Sequence, residues 1–217
     1  MAKRSKTLNG SGLELAEIEP LTRNQLLAFE SDKNLVLHGC AGTGKTFISC
    51  YLAFDDMTKN QYEKLVIIRS AVPTRDIGFL PGTEKEKSSV YEEPYYDISI
   101  DLFERGDAYQ ILKTKRLVHF MTTSYIRGIT LRDAVILIDE CQNMTFHELD
   151  SIITRVGENC RVIFCGDFSQ SDLKQNGMKE FFEILVSMNR FDFIEFGVED
   201  IVRSGFVKEY IIAKEYA

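Results

Sequence analysis

Eight consecutive residues, Gly39-Cys40-Ala41-Gly42-Thr43-Gly44-Lys45-Thr46, fill every fixed position of the pattern G-x-x-x-x-G-K-[ST] directly after the apolar run Leu35-Val36-Leu37. A loop that holds phosphates needs backbone N–H groups turned inward, and glycines permit the backbone conformations that achieve this. The loop must then enter a helix whose first amides and dipole favour negative charge, and the stretch from Lys45 to Asp56 reads as that helix. A strand, a glycine-rich turn and a helix are thereby fixed in order. Lys45 is expected on the β- and γ-phosphates of a nucleoside triphosphate and the Thr46 hydroxyl on Mg²⁺, with Phe47 in the first turn beside them. A plain turn before a core helix would leave Lys45 unexplained.

The same alternation continues along the chain. Apolar, Val- and Ile-rich runs at 35–38, 65–69, 117–121, 134–138, 161–165 and 191–196 read as strands. Helical patterns fall at 23–30, 45–56, 98–104, 146–156, 178–187 and 206–214. Strands apolar on both faces and separated by helices indicate an α/β fold, a mostly parallel sheet with helices on both faces. Ligands bind such sheets at the carboxyl ends of the strands, where the 39–46 loop falls. Residues 1–20 read as a flexible N-terminal tail, since the Lys-, Ser- and Gly-rich start carries few apolar residues, and 21–217 as a single domain. Residues 70–96 read as a long loop with three of the chain's four prolines. Its aromatic and basic residues suit either stacking on single-stranded nucleic acid or anchoring to the core.

With 217 residues, 44% of them hydrophobic, the chain can bury one substantial core. A net charge of -7 argues against broad adhesion to nucleic acid or an anionic membrane surface, while leaving room for a local basic groove. No apolar run approaches the ~18 residues of a spanning helix, so no membrane association and a cytoplasmic location are expected, in a host cytoplasm if the chain is phage-encoded. The five cysteines form no C-x-x-C pair and read as reduced thiols.

The second half of the site is an acidic pair. Val135-Ile136-Leu137-Ile138 runs into Asp139 and Glu140. Asp139 suits Mg²⁺, a hard cation that keeps several waters and needs few carboxylates. Glu140 suits the base that takes a proton from an attacking water, a role that favours a hydrolase over a phosphotransferase, which must exclude water. Gln170, in the loop after the strand at 161–165, is placed to report on the γ-phosphate, or is an ordinary polar loop residue. Gln25, upstream of the phosphate loop, is a candidate for bidentate contact with adenine.

Taken together and in this order, these residues resemble the PhoH-like family of ATPases, relatives of the first RecA-like domain of superfamily 1 helicases. The resemblance covers nearly all of residues 21–217. It extends through Gly78-Phe79-Leu80-Pro81-Gly82, Tyr125-Ile126-Arg127-Gly128, the run Asp139-Glu140-Cys141-Gln142-Asn143, Thr154-Arg155-Val156-Gly157, and Gly166-Asp167-Phe168-Ser169-Gln170. Cys141 stands where the family usually has Ala, and Thr74-Arg75-Asp76-Ile77 replaces its usual lead into the Gly78–Gly82 segment.

The resemblance implies a RecA-like P-loop ATPase that works as a homo-oligomeric ring, hexameric in expectation, on single-stranded RNA or DNA. A lone RecA-like domain lacks the lobe that closes over the γ-phosphate, so a neighbouring subunit must supply a cation through a head-to-tail interface. Arg203 is the first candidate for that arginine finger and Arg155 the second, against the plain alternative of surface arginines paired with nearby acids. Arg69, Arg75, Arg127 and Arg155 are candidates for phosphate contacts to the polynucleotide. A non-motor alternative, an ATP-gated binding or assembly module with slow hydrolysis, stays open.

Overall fold

The computed structural model describes residues 6–8, 10–70, 84–168 and 177–215. Six strands form one sheet: β3 (Asn34–Gly39), β4 (Lys64–Arg69), β5 (Val118–Thr122), β6 (Ala134–Ile138), β7 (Cys160–Gly166) and β8 (Phe191–Phe196). Their order is β5-β4-β6-β7-β3-β8, and every pairing is parallel. All six strands fall where the apolar runs place them; the central strands, covered on both faces, are almost continuously apolar, while the edge strands β5 and β8 keep enough apolar residues to read.

Alternate residues feed two cores. Leu35, Leu37, Leu65, Ile67, Val135 and Leu137 pack into one. Val36, Val66, Ile68, Ile136 and Ile138 pack into the other. Helices α2 (Lys45–Thr58), α3 (Glu84–Phe103) and α4 (Ala108–Thr114) cover the first face, with α1 (Arg23–Glu30) contributing Ala28. Helices α5 (Phe146–Ile153) and α6 (Met178–Ser187) cover the second, and α7 (Gly205–Glu215) closes the described chain. Thr145 and Glu148 form a reciprocal capping box that starts α5. Thr22 caps α1 by accepting from the Gln25 amide at 3.3 Å.

Three sequence expectations are corrected. The segment expected to be a flexible tail contains two strands, β1 (Lys6–Leu8) and β2 (Leu13–Leu15), paired antiparallel. Leu8, Leu13 and Leu15 are buried in the first core, and Lys6 pairs with Asp55 on α2. Hydrophobic burial, supplied by only three leucines, decides the outcome that overall composition conceals. The segment expected to be a loop through 96 is helical from Glu84, where α3 begins, and α3 carries Pro94 in its interior. Helix α4 has no counterpart among the expected helices. It is tied to α3 through Glu92, which accepts from Tyr109 at 2.8 Å and from Lys113 at 2.7 Å.

At the amino end of the sheet, a buried Arg161–Asp56 pair at 2.7 Å joins β7 to α2. Arg161 also donates to the carbonyls of Ser31 and Lys33, which satisfies a guanidinium that burial would otherwise strip of its water.

Candidate nucleotide-binding site

β3 ends in Gly39, whose φ of 105° belongs to the left-handed region, and the chain there lies against the end of β8. A Cβ on Gly39 would stand 2.2 Å from the Phe196 carbonyl oxygen, to which the Cys40 amide donates at 2.8 Å. Gly42 and Gly44 also have positive φ, 75° and 82°, and Gly44 is the residue before α2. Glycine has no side chain with which to cap that helix, so the amides of its first turn are left for an anionic ligand. The Thr43 hydroxyl donates to the Cys40 carbonyl at 3.0 Å inside the loop. Lys45 lies along the loop, its Nζ donating to the carbonyls of Gly39 at 2.8 Å and Cys40 at 2.6 Å. Burial lowers its pKa.

Asp139 follows β6. Its Oδ1 accepts from the Thr46 hydroxyl at 3.0 Å, and its Oδ2 accepts from the Tyr95 hydroxyl at 2.6 Å. A hydroxyl and a carboxylate brought together across two strand ends are the donor set Mg²⁺ takes from protein when phosphates and water supply the rest, so Thr46 and Asp139 fit that ion. Glu140 turns sharply away in a left-handed conformation, φ 52° and ψ 40°. Gln142 holds it there: Nε2 donates to Glu140 Oε2 at 2.6 Å while Oε1 accepts from the Asp167 amide at 3.2 Å. A Cβ on Gly166 would lie 2.7 Å from Gln142 Oε1 and 2.8 Å from Cys141 Sγ, so any larger residue there would displace the Gln142 side chain that holds Glu140.

These elements wall a cleft of about 1180 Å³ at the carboxyl ends of the strands. The phosphate-loop residues 41–46, Phe47, Asp139, Glu140 and Gln142 line it. The sequence therefore brings Lys45, Thr46, Asp139 and Glu140 to one place, and Gly39 and Cys40 shape the loop that holds them. Three buried thiols lie in or near this region, and burial raises the pKa of Cys50, Cys141 and Cys165, so they are inert protonated thiols at neutral pH.

The remaining site residues fall differently. Gln25 lines the cleft with its amide already engaged, Oε1 accepting from the Leu21 amide at 2.7 Å and Nε2 donating to the Thr43 carbonyl at 3.2 Å. Through these two bonds it braces the phosphate loop, with a second Nε2 hydrogen and a second Oε1 lone pair uncommitted by them. Arg203 lines its own chain's cleft, with Cγ 3.0 Å from where a Gly42 Cβ would stand. Arg69 also lines the cleft, donating to the Tyr91 carbonyl at 3.3 Å with its guanidinium 5.9 Å from the Tyr91 ring centroid.

Arg127 is exposed beyond the 3-10 turn that follows β5. Arg155 stands at the opposite end of the sheet from the cleft. Its carbonyl accepts from Leu131 ahead of β6, and Val156 bridges the same residue. Sequence reasoning sets Arg155 on the nucleotide side because helix and loop lengths alone do not tell which end of the sheet a turn occupies. Arg75, the Gly78–Gly82 segment and Gln170 lie outside the described residues.

Two participants escape sequence reasoning. Tyr95 reaches Asp139 from 44 residues away in sequence, and no local pattern announces such a contact. Gln142 is visible beside the acidic pair, but only the approach of β6 and β7 reveals that it bridges their ends.

The family model described as PhoH-like protein matches residues 17–215. A PhoH-like protein of Bacillus subtilis (strain 168) is 31% identical over 218 residues, covering 98% of this chain and 68% of the relative. A PhoH-like protein of Mycobacterium leprae (strain TN) is 32% identical over 203 residues, covering 90% and 58%. Protein PhoH of Escherichia coli (strain K12) is 32% identical over 194 residues, covering 85% and 55%. The chain thus spans little more than half the length of most of these relatives. Among solved structures, the large terminase of a thermophilic bacteriophage superposes with a TM-score of 0.53 at 15% identity, over 88% of this chain and 50% of that one. The same terminase in complex with ADP, in another crystal form, gives 0.52. The fold is that of RecA-like P-loop ATPases.

Proposed function

This chain belongs to the PhoH-like family, and on that premise we propose that it binds ATP with Mg²⁺ in the cleft and hydrolyses it, coupling turnover to single-stranded RNA or DNA within a ring of identical subunits. The observation that carries the reading is the convergence of Lys45, Thr46, Asp139 and Glu140 on one cleft at the ends of β3 and β6.

The phosphate-loop amides and the dipole of α2 receive the phosphates. Lys45 exchanges its bonds to the loop carbonyls for phosphate oxygens, and its charge counters the negative charge built up during transfer. Mg²⁺ would be held by Thr46 and Asp139 and would supply positive charge against the phosphates. Glu140, fixed by Gln142, orients the attacking water and accepts its proton. Arg203 acts on the phosphates of its own subunit from beside Gly42.

Two features support assembly. Leu21, on the cleft wall, is 74% exposed, and Phe206 and Tyr210 of α7 are 82% and 64% exposed, apolar surface that a neighbouring subunit would cover. Arg155 stands away from its own cleft, as a residue acting in trans must, and its Nε is buried without a hydrogen-bond partner among the described residues. The exposed Arg127 supplies charge for a polynucleotide phosphate.

Steady-state ATP hydrolysis at low salt, with and without single-stranded RNA and DNA, tests the reading. Glu140→Gln is expected to lower turnover by about 10²- to 10⁴-fold while nucleotide binding persists, in keeping with loss of a general base. Polynucleotide-stimulated turnover that disappears in this variant supports the motor. Slow hydrolysis indifferent to nucleic acid would replace it with the ATP-gated binding module.

A further inference from the structure

Asp139 is held from two directions, and only one of them belongs to the phosphate loop. Thr46 donates to Oδ1, and Tyr95 donates to Oδ2 at 2.6 Å, so both carboxylate oxygens are oriented. The phenol is 1% exposed and the carboxylate 4% exposed, so water does not compete for this bond. Packing against Phe120 of β5, with ring centroids 5.9 Å apart, fixes the phenol in turn. Its helix is joined to the cleft a second time one turn earlier, where Arg69 donates to the Tyr91 carbonyl. Pro94, Asp97 and Asp101 of the same helix form part of the cleft wall.

We propose that Tyr95 is a positioning residue for the nucleotide-bound cation: its hydroxyl fixes the Asp139 carboxylate in the orientation to which hydrated Mg²⁺ docks, so that the seating of α3 sets metal affinity. The proposal rests on the ATPase reading above. Two effects oppose each other in such a bond. Donation to Oδ2 withdraws negative charge from the carboxylate, which weakens attraction for the cation, while loss of the donor frees the carboxylate to rotate in a buried site and leaves Oδ2 without its partner. Outer-shell partners of metal-binding carboxylates commonly contribute about 10- to 100-fold in metal affinity, so orientation outweighs charge withdrawal.

The test is titration of the full chain with a fluorescent ADP analogue, first in EDTA and then at fixed nucleotide with increasing Mg²⁺. Tyr95→Phe keeps the ring and removes only the hydroxyl. Its expected result is a rise of about tenfold in the Mg²⁺ concentration at half-effect, with affinity in EDTA unchanged. Tyr96→Phe makes the same chemical change at the next position, where the ring packs on Tyr109 and its hydroxyl accepts from Gln110, and is expected to leave both values as in wild type. A Tyr95→Phe half-effect equal to that of wild type would overturn the proposal, as would equal shifts in the two variants.

Hydrogen exchange on the wild-type protein gives a second readout that needs no variant to fold. Adding Mg²⁺ to the ADP complex is expected to slow exchange of α3 amides, and exchange indifferent to Mg²⁺ would overturn the coupling. Absence of nucleotide binding by wild type, in EDTA and in Mg²⁺ alike, would instead sink the ATPase reading and this proposal with it.

Discussion

Gly39 and Gly106 differ in what surrounds them. At Gly39 an added Cβ meets the Phe196 carbonyl oxygen at 2.2 Å with φ at 105°, so the new atom can be accommodated only by separating β3 from β8. At Gly106 no atom of the described residues lies within 4 Å. Gly39→Ala is therefore expected to lower stability by about 2–3 kcal/mol in urea unfolding and to abolish nucleotide binding, with Gly106→Ala within about 0.5 kcal/mol of wild type. Glu140 is the counterpart among non-glycine residues. Its left-handed backbone stores strain of about 1 kcal/mol, and the Gln142 bridge to Asp167 stabilises the turn that directs its carboxylate. The loop residues, Asp139 and Glu140 were legible in the sequence because their chemistry requires fixed types at fixed spacing. Gln25 and Arg203 were legible as cleft residues, but the bonds by which Gln25 braces the loop were not, since they depend on how the chain folds back on itself.

The β1–β2 hairpin separates two accounts of the N-terminal segment. Leu13 is 1% exposed in the first core, so Leu13→Ala is expected to cost about 2–4 kcal/mol in urea unfolding, whereas truncation of a side chain in a flexible tail would leave the midpoint unmoved. The sequence concealed this element because strands of three residues carry too little periodicity to read, and their pairing is made by the turn at Gly10 and Gly12. The start of α3 was concealed for another reason: a charged stretch with Pro94 in its interior looks like a loop, and the contacts that overrule propensity, Glu92 with α4 and Tyr95 with Asp139, come from elsewhere in the chain. The six sheet strands needed no such help. The four central strands are largely apolar on both faces, the edge strands β5 and β8 less so, and the parallel pairing follows from the helices between them.

In an assembly, acting in cis and acting in trans have different consequences when subunits are mixed. If the proposed ring forms, Arg155→Ala and Glu140→Gln assemblies are each expected to be inactive, with losses of about 10³-fold or more for a true finger. Mixed rings should recover hydrolysis, because a Glu140→Gln subunit still lends Arg155 to a neighbour whose own cleft is intact. Arg203→Ala mixed with Glu140→Gln should recover none, since each cleft then lacks a residue it must supply itself. ATPase assay of subunits exchanged before the measurement distinguishes the two. The strand order carries one more consequence, for the chain as it leaves the ribosome. β3 carries the phosphate loop, yet its sheet partners among the described residues are β7 at Cys160–Gly166 and β8 at Phe191–Phe196. β4, β5 and β6 can join one another first, while the loop, although made early, has no strand beside it until β7 and β8 have emerged. A nascent chain therefore acquires its nucleotide pocket long after it has made the motif, and a product truncated before β7 carries the motif without the site.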